Sequence, residues 1–222
     1  MRTKSILFGL MVTAVAGLGA VQSWALPGFA RDTKLACVTC HANPAGGAAL
    51  NPAGKAYLAD KKAPAASEAK AAEYVGTNKC KMCHSKEYTS WKTMPHAAAM
   101  AGLEKADPKF AADLAAKLKV ELKDSPAKTD GCVTCHVVGF HLAGGYPAAD
   151  SAKTASVTNV GCEACHGPGS LHVAAALADK KSVINRAVGA KLCQGCHTAD
   201  TSPKFNFDEY LKKGMHAVKT AG

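Results

Sequence analysis

The amino-acid sequence predicts a mainly α-helical, loop-rich fold with little or no β-sheet, built around bound groups rather than a large side-chain core. Aromatic residues make up only 6% of the 222 residues, which is a small supply of large side chains for a compact domain. Helix-starting pairs recur along the chain, whereas alternation of apolar and polar residues is weak. The cysteines indicate what replaces the missing core.

The first 25 residues are predicted to be a cleavable export signal. Arg2 and Lys4 are basic, residues 6–21 are apolar, and small residues stand at the positions that a signal peptidase reads. A retained membrane anchor is the alternative, but the apolar run is short and contains glycines. We therefore expect a mature chain that begins near Leu26 and is periplasmic or extracellular.

Ten cysteines form five pairs, each with two residues between its members and each followed directly by a histidine. The pairs are Cys37/Cys40, Cys80/Cys83, Cys132/Cys135, Cys162/Cys165 and Cys193/Cys196. The histidines that follow them are His41, His84, His136, His166 and His197. Disulfide frameworks and zinc sites also use paired cysteines, but neither requires a histidine after every pair. The C-x-x-C-H run is the attachment signal of c-type haem, so the sequence predicts five covalent haems with two thioethers each.

The spacing of this motif suits the attachment chemistry. Two thiols must reach the two vinyl groups on one edge of a porphyrin, and the adjacent histidine must lie under the ring to bind iron. One helical turn brings both sulfurs to the same side. Export agrees with this interpretation, because c-type haem is attached outside the cytoplasm. Five large apolar rings would also supply the core that the side chains lack.

The chain is basic, with a formal net charge of +10, and such a charge can indicate a nucleic-acid or anionic membrane partner. Each haem, however, carries two propionates, which bring the holoprotein close to neutrality. We interpret the lysines as solvated partners of these propionates and expect no nucleic-acid partner.

Helices are expected in order along the chain. Asn51 is a cap for a helix over residues 52–60, and a second helix over 85–93 ends before Pro95. Asp107-Pro108 opens a third, in which apolar residues recur with helical spacing at Phe110, Leu114 and Leu118. After the turn at 167–170, Ser170 can cap a helix from His172 to Lys180. A short last helix carries Tyr210 toward His216.

Three parts are predicted for the mature chain. Residues 26–62 form an N-terminal segment with one haem motif. Residues 63–73 are rich in alanine and charge and suit a linker. Residues 74–222 carry the other four motifs and form the main domain.

Four histidines remain outside the motifs: His96, His141, His172 and His216. Each haem iron has a second axial position, and imidazole is a common ligand for it. Four histidines cannot serve five irons, so at least one haem needs another solution. That haem could stay open, could use a methionine, or could take a histidine from a neighbouring subunit. The candidate methionines are Met94, Met100 and Met215.

From residue 74 onward the chain resembles the tetrahaem cytochrome c-554 family. The resemblance rests on YVGTNKCKMCHSKEYTSWKTMPHAAA, GCVTCHVVGF, GCEACHGPGSLH and CQGCHTADTSPKFNFDEYLKKGMH. It implies a mainly α-helical fold, closely packed haems and a role in electron transfer. It also implies crossed ligation, in which His96 binds the haem of His197, His172 that of His84, and His216 that of His166. The haem of His136 would then be open, and the motif at Cys37 is an addition to the family pattern.

His141 follows His136 by five residues and cannot easily reach the opposite face of the same haem. If His141 is a ligand, it serves another iron, and the unassigned one is that of His41. The alternative is a surface histidine or one that binds a propionate.

Three functions are compatible with the sequence. The leading one is an electron carrier that exchanges electrons with donor and acceptor cytochromes or membrane quinol-linked complexes. The second is a redox enzyme that binds a small nitrogen or sulfur species, such as nitric oxide or hydroxylamine, at an open haem. The third is a subunit of an extracellular filament or homo-oligomer.

Overall fold

A computed structural model of the chain describes residues 33, 35–62, 64–65 and 69–216. The predicted export signal, residues 1–25, and parts of the predicted linker lie outside the described residues. Within the described part, helices and loops account for the fold, and pairing between strands is limited to two isolated bridges, His41 with Leu50 and Val137 with Thr158. The predicted mainly α-helical, loop-rich fold is confirmed. None of the helices in this part is long and apolar enough to span a membrane.

The α-helices are short. In chain order they are α1 (Pro52–Asp60), α2 (Thr77–Lys81), α3 (Ser85–Lys92), α4 (Ala99–Glu104), α5 (Pro108–Leu118), α6 (Asp130–Val133), α7 (Ser151–Val157), α8 (Cys162–His166), α9 (Ser170–Ala174), α10 (Ala190–Cys193) and α11 (Phe207–Gly214). The 3₁₀ turns are Cys37–Thr39, Pro95–Ala98, Pro126–Lys128 and Lys180–Ser182.

Two helix starts were predicted correctly because their caps are local. The side chain of Asn51 accepts a hydrogen bond from the Gly54 backbone N–H at 2.9 Å, and α1 begins at the next residue, a proline. Asp107 accepts from the Phe110 backbone N–H at 2.8 Å in the same way at the start of α5. In both cases the cap and the proline act within one turn.

The capping role predicted for Ser170 is wrong. Ser170 lies inside the first turn of α9, and its hydroxyl accepts a hydrogen bond from the Glu73 backbone N–H at 2.8 Å. The helix also ends at Ala174 rather than continuing to Lys180. The Lys180 ammonium donates to the carbonyl oxygens of His172 and Val173 at 2.8 and 3.1 Å, so it satisfies acceptors that a longer helix would bond internally.

The apolar stripe of α5 is not the side that the helix buries. Phe110 is 61% exposed, whereas Ala111 and Ala115 are buried. Leu114 and Leu118 are half-buried. The small side chains therefore let α5 approach its neighbours closely.

The side-chain core is small and consists of two clusters on either side of one motif. Tyr74, Val138 and Val157 form the first cluster. Met100, Val133 and Val137 form the second. Both clusters use the segment that contains Cys132, Cys135 and His136, so this motif sits at the centre of the domain.

The N-terminal segment contacts the main domain directly. The Asn43 side-chain amide donates to the Ile184 carbonyl oxygen at 3.1 Å. Ala45 is buried at this contact, and its carbonyl oxygen lies where a side chain on Gly167 would project. The division into a one-motif segment, a linker and a main domain stays a prediction.

Glu163 is a buried carboxylate that joins two loops. Its oxygens accept from the backbone N–H groups of Val75, Gly76 and Gly169, at 2.7 to 3.1 Å. Burial raises the pKa of Glu163, while these three N–H donors act in the opposite direction. The carboxylate therefore connects the first residues of the main domain to the turn after His166.

A Glu163→Gln variant should lose about 1–3 kcal/mol of unfolding free energy, because a single amide oxygen replaces two charged acceptors and its NH₂ group faces donors. Denaturant unfolding followed by circular dichroism measures this loss. Glu121→Gln is the matched control, since Glu121 is exposed. Equal stability of the two variants would contradict the role given to Glu163.

Candidate haem sites

In all five cysteine motifs the backbone forms a tight helical turn between the first cysteine and the histidine. The backbone N–H groups of His41, His84 and His197 donate to the carbonyl oxygen of the first cysteine of their own motif, each at 2.9 Å. In the third motif His136 donates to Val133 at 2.8 Å, and the fourth motif coincides with α8. The turns bring both thiols and the imidazole of a motif to one side, as haem attachment requires.

The ten cysteines, all of which lie in the described residues, form no disulfide, and thiols of different motifs approach one another. The Cys80 thiol interacts with the Cys162 sulfur, and this contact together with burial raises the pKa of Cys80. Burial raises the pKa of Cys165 to about 11, with a smaller contribution from the neighbouring sulfur of Cys193. The second motif therefore adjoins the fourth, and the fourth adjoins the fifth.

The attachment cysteines differ in how far the surrounding protein covers them. Cys83 and Cys196 are exposed, whereas the other eight cysteines are half-buried. Each is the second cysteine of its motif and follows the end of a very short helix, α2 or α10. Their neighbours are exposed as well, with Met82 at 76%, so the chain runs along the surface at both places.

The interpretation of the five haems as a buried core stays a prediction at every motif. A haem attached through Cys83 or Cys196 would have the edge that carries this thioether close to the surface. The sequence pattern could not indicate this, because all five motifs share it and their burial depends on what packs over them. Attachment of haem at these two cysteines stays a prediction.

Three pairs of histidine rings face each other across the domain. The ring centroids are 6.2 Å apart for His84 and His172, 6.0 Å for His96 and His197, and 6.0 Å for His166 and His216. Each pair joins one motif histidine to one spare histidine. Two imidazoles that bind opposite faces of one iron, each with a metal–nitrogen distance of about 2 Å, have centroids roughly 6 Å apart. These pairs are the ones that the family resemblance implied.

The ring nitrogens are oriented by hydrogen bonds. The Nδ1 atoms of His136, His166 and His172 lie 2.7, 2.8 and 2.9 Å from the carbonyl oxygens of Ala99, Asn185 and Lys180. A carbonyl oxygen can only accept, so Nδ1 carries the proton and Nε2 keeps the lone pair that a metal needs. Such hydrogen bonds are the usual outer support of ligating histidines.

Burial also favours the neutral, ligating form of several imidazoles. It lowers the pKa of His41, His166 and His197 below the usual value for histidine. His197 Nδ1 lies 2.8 Å from the hydroxyl oxygen of Ser202, which supports this ring from the side. Each ring pair can give an iron only two ligands. It therefore fits an iron whose other ligands come from a porphyrin.

No histidine ring of the described residues lies opposite His136. Met100, one of the methionines considered as an alternative ligand, packs with Val133 and Val137 in an apolar cluster. The ring of His136 is held from its Nδ1 side by Ala99.

His141 lies apart from the three ring pairs. Its side chain is exposed and packs against Phe140 with centroids 4.0 Å apart, and its backbone has a positive φ of 55°. The pKa of Asp130 is lowered mainly by Lys123, with a smaller contribution from His141. None of the described ring contacts joins His141 to His41, and its role as a ligand of that haem stays a prediction.

His41 lies in a pocket of about 90 Å³ that is partly open to solvent. The ring is only 5% exposed, and its Nδ1 is buried without a hydrogen-bond partner. Cys37 and Cys40 line the same cavity. The first motif therefore combines two thiols with a buried imidazole, which is the donor set that a c-type haem requires.

Some supporting residues were not found from the sequence. Asn185 and Ser202 belong to no motif, and their roles depend on loops that meet only in the fold. Glu163 lies between the cysteines of the fourth motif, where the sequence pattern allows any residue.

Comparison with known proteins places four of the five motifs in recognised sequence families. Residues 79–167 match the family described as cytochrome c554 and c-prime, and residues 155–202 match the doubled CXXCH motif. The cytochrome c-554 of Nitrosomonas europaea is 40% identical over 98 residues, which are 44% of this chain. The chain spans 40% of the length of that protein. The first motif, at Cys37 and Cys40, lies outside both family matches.

Among solved structures, the reduced state of cytochrome c554 from Nitrosomonas europaea matches with a TM-score of 0.48 and 29% sequence identity. The match covers 65% of this chain and 85% of that chain.

The exported, haem-loaded protein should contain no thiol that reacts with iodoacetamide after denaturation, because all ten sulfurs would be thioethers. Mass spectrometry of the intact and the alkylated protein measures haem number and free thiols together. Protein made without export is the control and should react at ten positions. A loaded protein with one reactive pair would contradict haem attachment at that motif.

Proposed function

We propose that this chain, which resembles the cytochrome c554 family over residues 79–167, is a five-haem c-type cytochrome that carries electrons in the periplasm or outside the cell. The observation that carries the proposal is the set of three ring pairs, each with centroids 6.0 to 6.2 Å apart. In this proposal each pair binds one iron from both sides.

Ligation by two imidazoles closes both axial positions of an iron. Haem supplies one-electron chemistry, and with both positions occupied it does so without binding a substrate. The task of the chain is then to hold ligands and set distances. The Nδ1 hydrogen bonds of His166 and His172 to backbone carbonyls serve this task because they fix the orientation of each ring.

An electron carrier also needs sites that lie close to one another. The pKa of His166 is lowered chiefly by burial, and also by the nearby rings of His216, His84 and His172. His136 acts on His197 in the same way. The Cys80 and Cys162 sulfurs are in contact. These interactions support two groups of neighbouring sites, one around His84 and His166 and one around His136 and His197.

Electrons must also enter and leave the array. The exposed cysteines Cys83 and Cys196 are suited to this, because a haem edge attached there would lie near the surface, where a partner protein can approach it. They belong to different groups of neighbouring sites, the first to that of His84 and the second to that of His197. In this proposal each group therefore has its own exposed haem edge.

The second candidate function is catalysis at the haem of His136. The observation that favours it is that the described residues bring no histidine ring to the other side of His136. A small nitrogen or sulfur species, such as nitric oxide or hydroxylamine, would bind there. The surrounding Met100, Val133 and Val137 are apolar and supply no proton donor from their side chains, so we rank this function below electron transfer.

The proposed partners are redox proteins outside the cytoplasm, namely donor and acceptor cytochromes or membrane quinol-linked complexes. Assembly into a homo-oligomer or filament remains a further prediction. In it, the exposed imidazole of His141, which lies outside the three ring pairs, would be the one offered to a neighbouring copy.

Replacing His96, His172 or His216 by alanine should each convert one low-spin haem to high spin, because an imidazole on one face of an iron is lost. Electron paramagnetic resonance of the oxidised protein counts the haems of each type, and mass spectrometry checks that their number is unchanged. Gln194→Ala is the control, since Gln194 is an exposed residue inside a motif.

The same measurement decides the role of His141. If His141 binds the haem of His41, His141→Ala also removes one low-spin signal. An unchanged spectrum would exclude His141 as a ligand of that haem. For the three paired histidines, a variant with full low-spin content would contradict the proposed ligation of that haem.

Carbon monoxide should distinguish the two candidate functions. Tight binding by the reduced protein at the haem of His136 favours a catalytic site, and absence of binding favours a pure carrier. Optical titration measures the number of sites per chain. Cys132→Ala with Cys135→Ala, which removes this haem, should abolish any binding that belongs to it.

A further inference from the structure

The cavity of the first motif has two walls that come from distant parts of the chain. The N-terminal segment supplies one wall with Cys37, Cys40 and His41. The opposite wall includes Ala164 and Cys165 of the fourth motif. A haem attached to Cys37 and Cys40 would therefore lie against the cysteine that attaches the haem of His166.

The contact between these two walls is built into the backbone. Gly167 follows His166 and has a positive φ of 76°, a conformation that favours glycine. A Cβ at this position would overlap the carbonyl oxygen of Ala45. Ala45 is also buried, so the N-terminal segment packs its backbone against the residue that follows the fourth motif.

Asn185 connects the cavity to the fourth motif. Its side-chain amide donates to the Cys165 carbonyl oxygen at 3.2 Å, and its own carbonyl oxygen accepts from His166 Nδ1. The Asn185 side chain also borders Gly47 of the N-terminal segment. The preceding residue, Ile184, accepts the hydrogen bond of Asn43. One short segment thus holds the His166 ring and the N-terminal segment together.

We propose that the haem of the first motif lies beside the haem of His166 and exchanges electrons with the rest of the array at that point. The proposal rests on the five-haem function proposed above and adds the position of the fifth haem to it. The family-like part of the chain would then have an added terminal at its fourth motif.

The first test removes the fifth haem. Cys37→Ala with Cys40→Ala should lower the haem count by one and shift the midpoint potential of the haem of His166, because a neighbouring charged group has gone. The other three potentials should stay unchanged. Potentiometry followed by electron paramagnetic resonance measures this, and the signal of the His166 haem is identified as the one that His216→Ala removes.

The matched control removes a different haem. Cys132→Ala with Cys135→Ala should leave the potential of the His166 haem in place. A shift at another haem after removal of Cys37 and Cys40, or no shift, would overturn the proposed position while leaving the five-haem cytochrome intact. A native protein with only four haems would overturn both.

A second variant perturbs the contact without removing a haem. Gly167→Ala should keep five haems yet change the potential or magnetic coupling of the His166 haem, since the N-terminal segment must move away from the added methyl group. Gly102→Ala is the control, because a Cβ at Gly102 meets no atom within 4 Å. Identical spectra for Gly167→Ala and the native protein would count against the proposed contact.

Discussion

A histidine can bind a metal only through a nitrogen that carries no proton, and the rest of this structure depends on how that condition is met. Backbone carbonyls of Ala99, Asn185 and Lys180 accept from the Nδ1 atoms of three imidazoles. Each carbonyl lies outside the helix or turn that carries the ring it supports. These hydrogen bonds fix the orientation of each ring and connect it to a neighbouring loop.

The five motifs share one sequence pattern but differ in their surroundings. Glu163, inside the fourth motif, accepts hydrogen bonds from three backbone N–H groups of two loops. Gly167, which has no side chain, leaves room for the backbone of the N-terminal segment. The fourth motif is thus the point where the segments of the chain converge. The second and fifth motifs have fewer protein residues around them, since Cys83 and Cys196 are exposed just after very short helices.

The elements that could be predicted are those whose causes are local. Asn51 and Asp107 cap helices within one turn, and the spacing of cysteines and histidine within each motif defines its own turn. Ser170 failed as a cap because its hydroxyl is used by Glu73, from a distant part of the sequence. The helical spacing of Phe110, Leu114 and Leu118 correctly predicted α5, although the buried residues of this helix are Ala111 and Ala115. The ring pairs were implied by resemblance and not by any local pattern, since their partners come from different loops.

The proposed crossing of ligands has a consequence for maturation. If the chain is exported from its N-terminus, His96 would emerge before the motif it would serve, whereas His172 and His216 would follow theirs. The haems of His84 and His166 would thus be attached while one face of the iron is still bare, and would stay reactive toward oxygen or peroxide until the later histidines arrive. A chain shortened just beyond His197 would still carry every attachment motif. It would lack the ring of His216 and also Ser202, which supports the ring of His197, so two of its haem sites would stay incomplete.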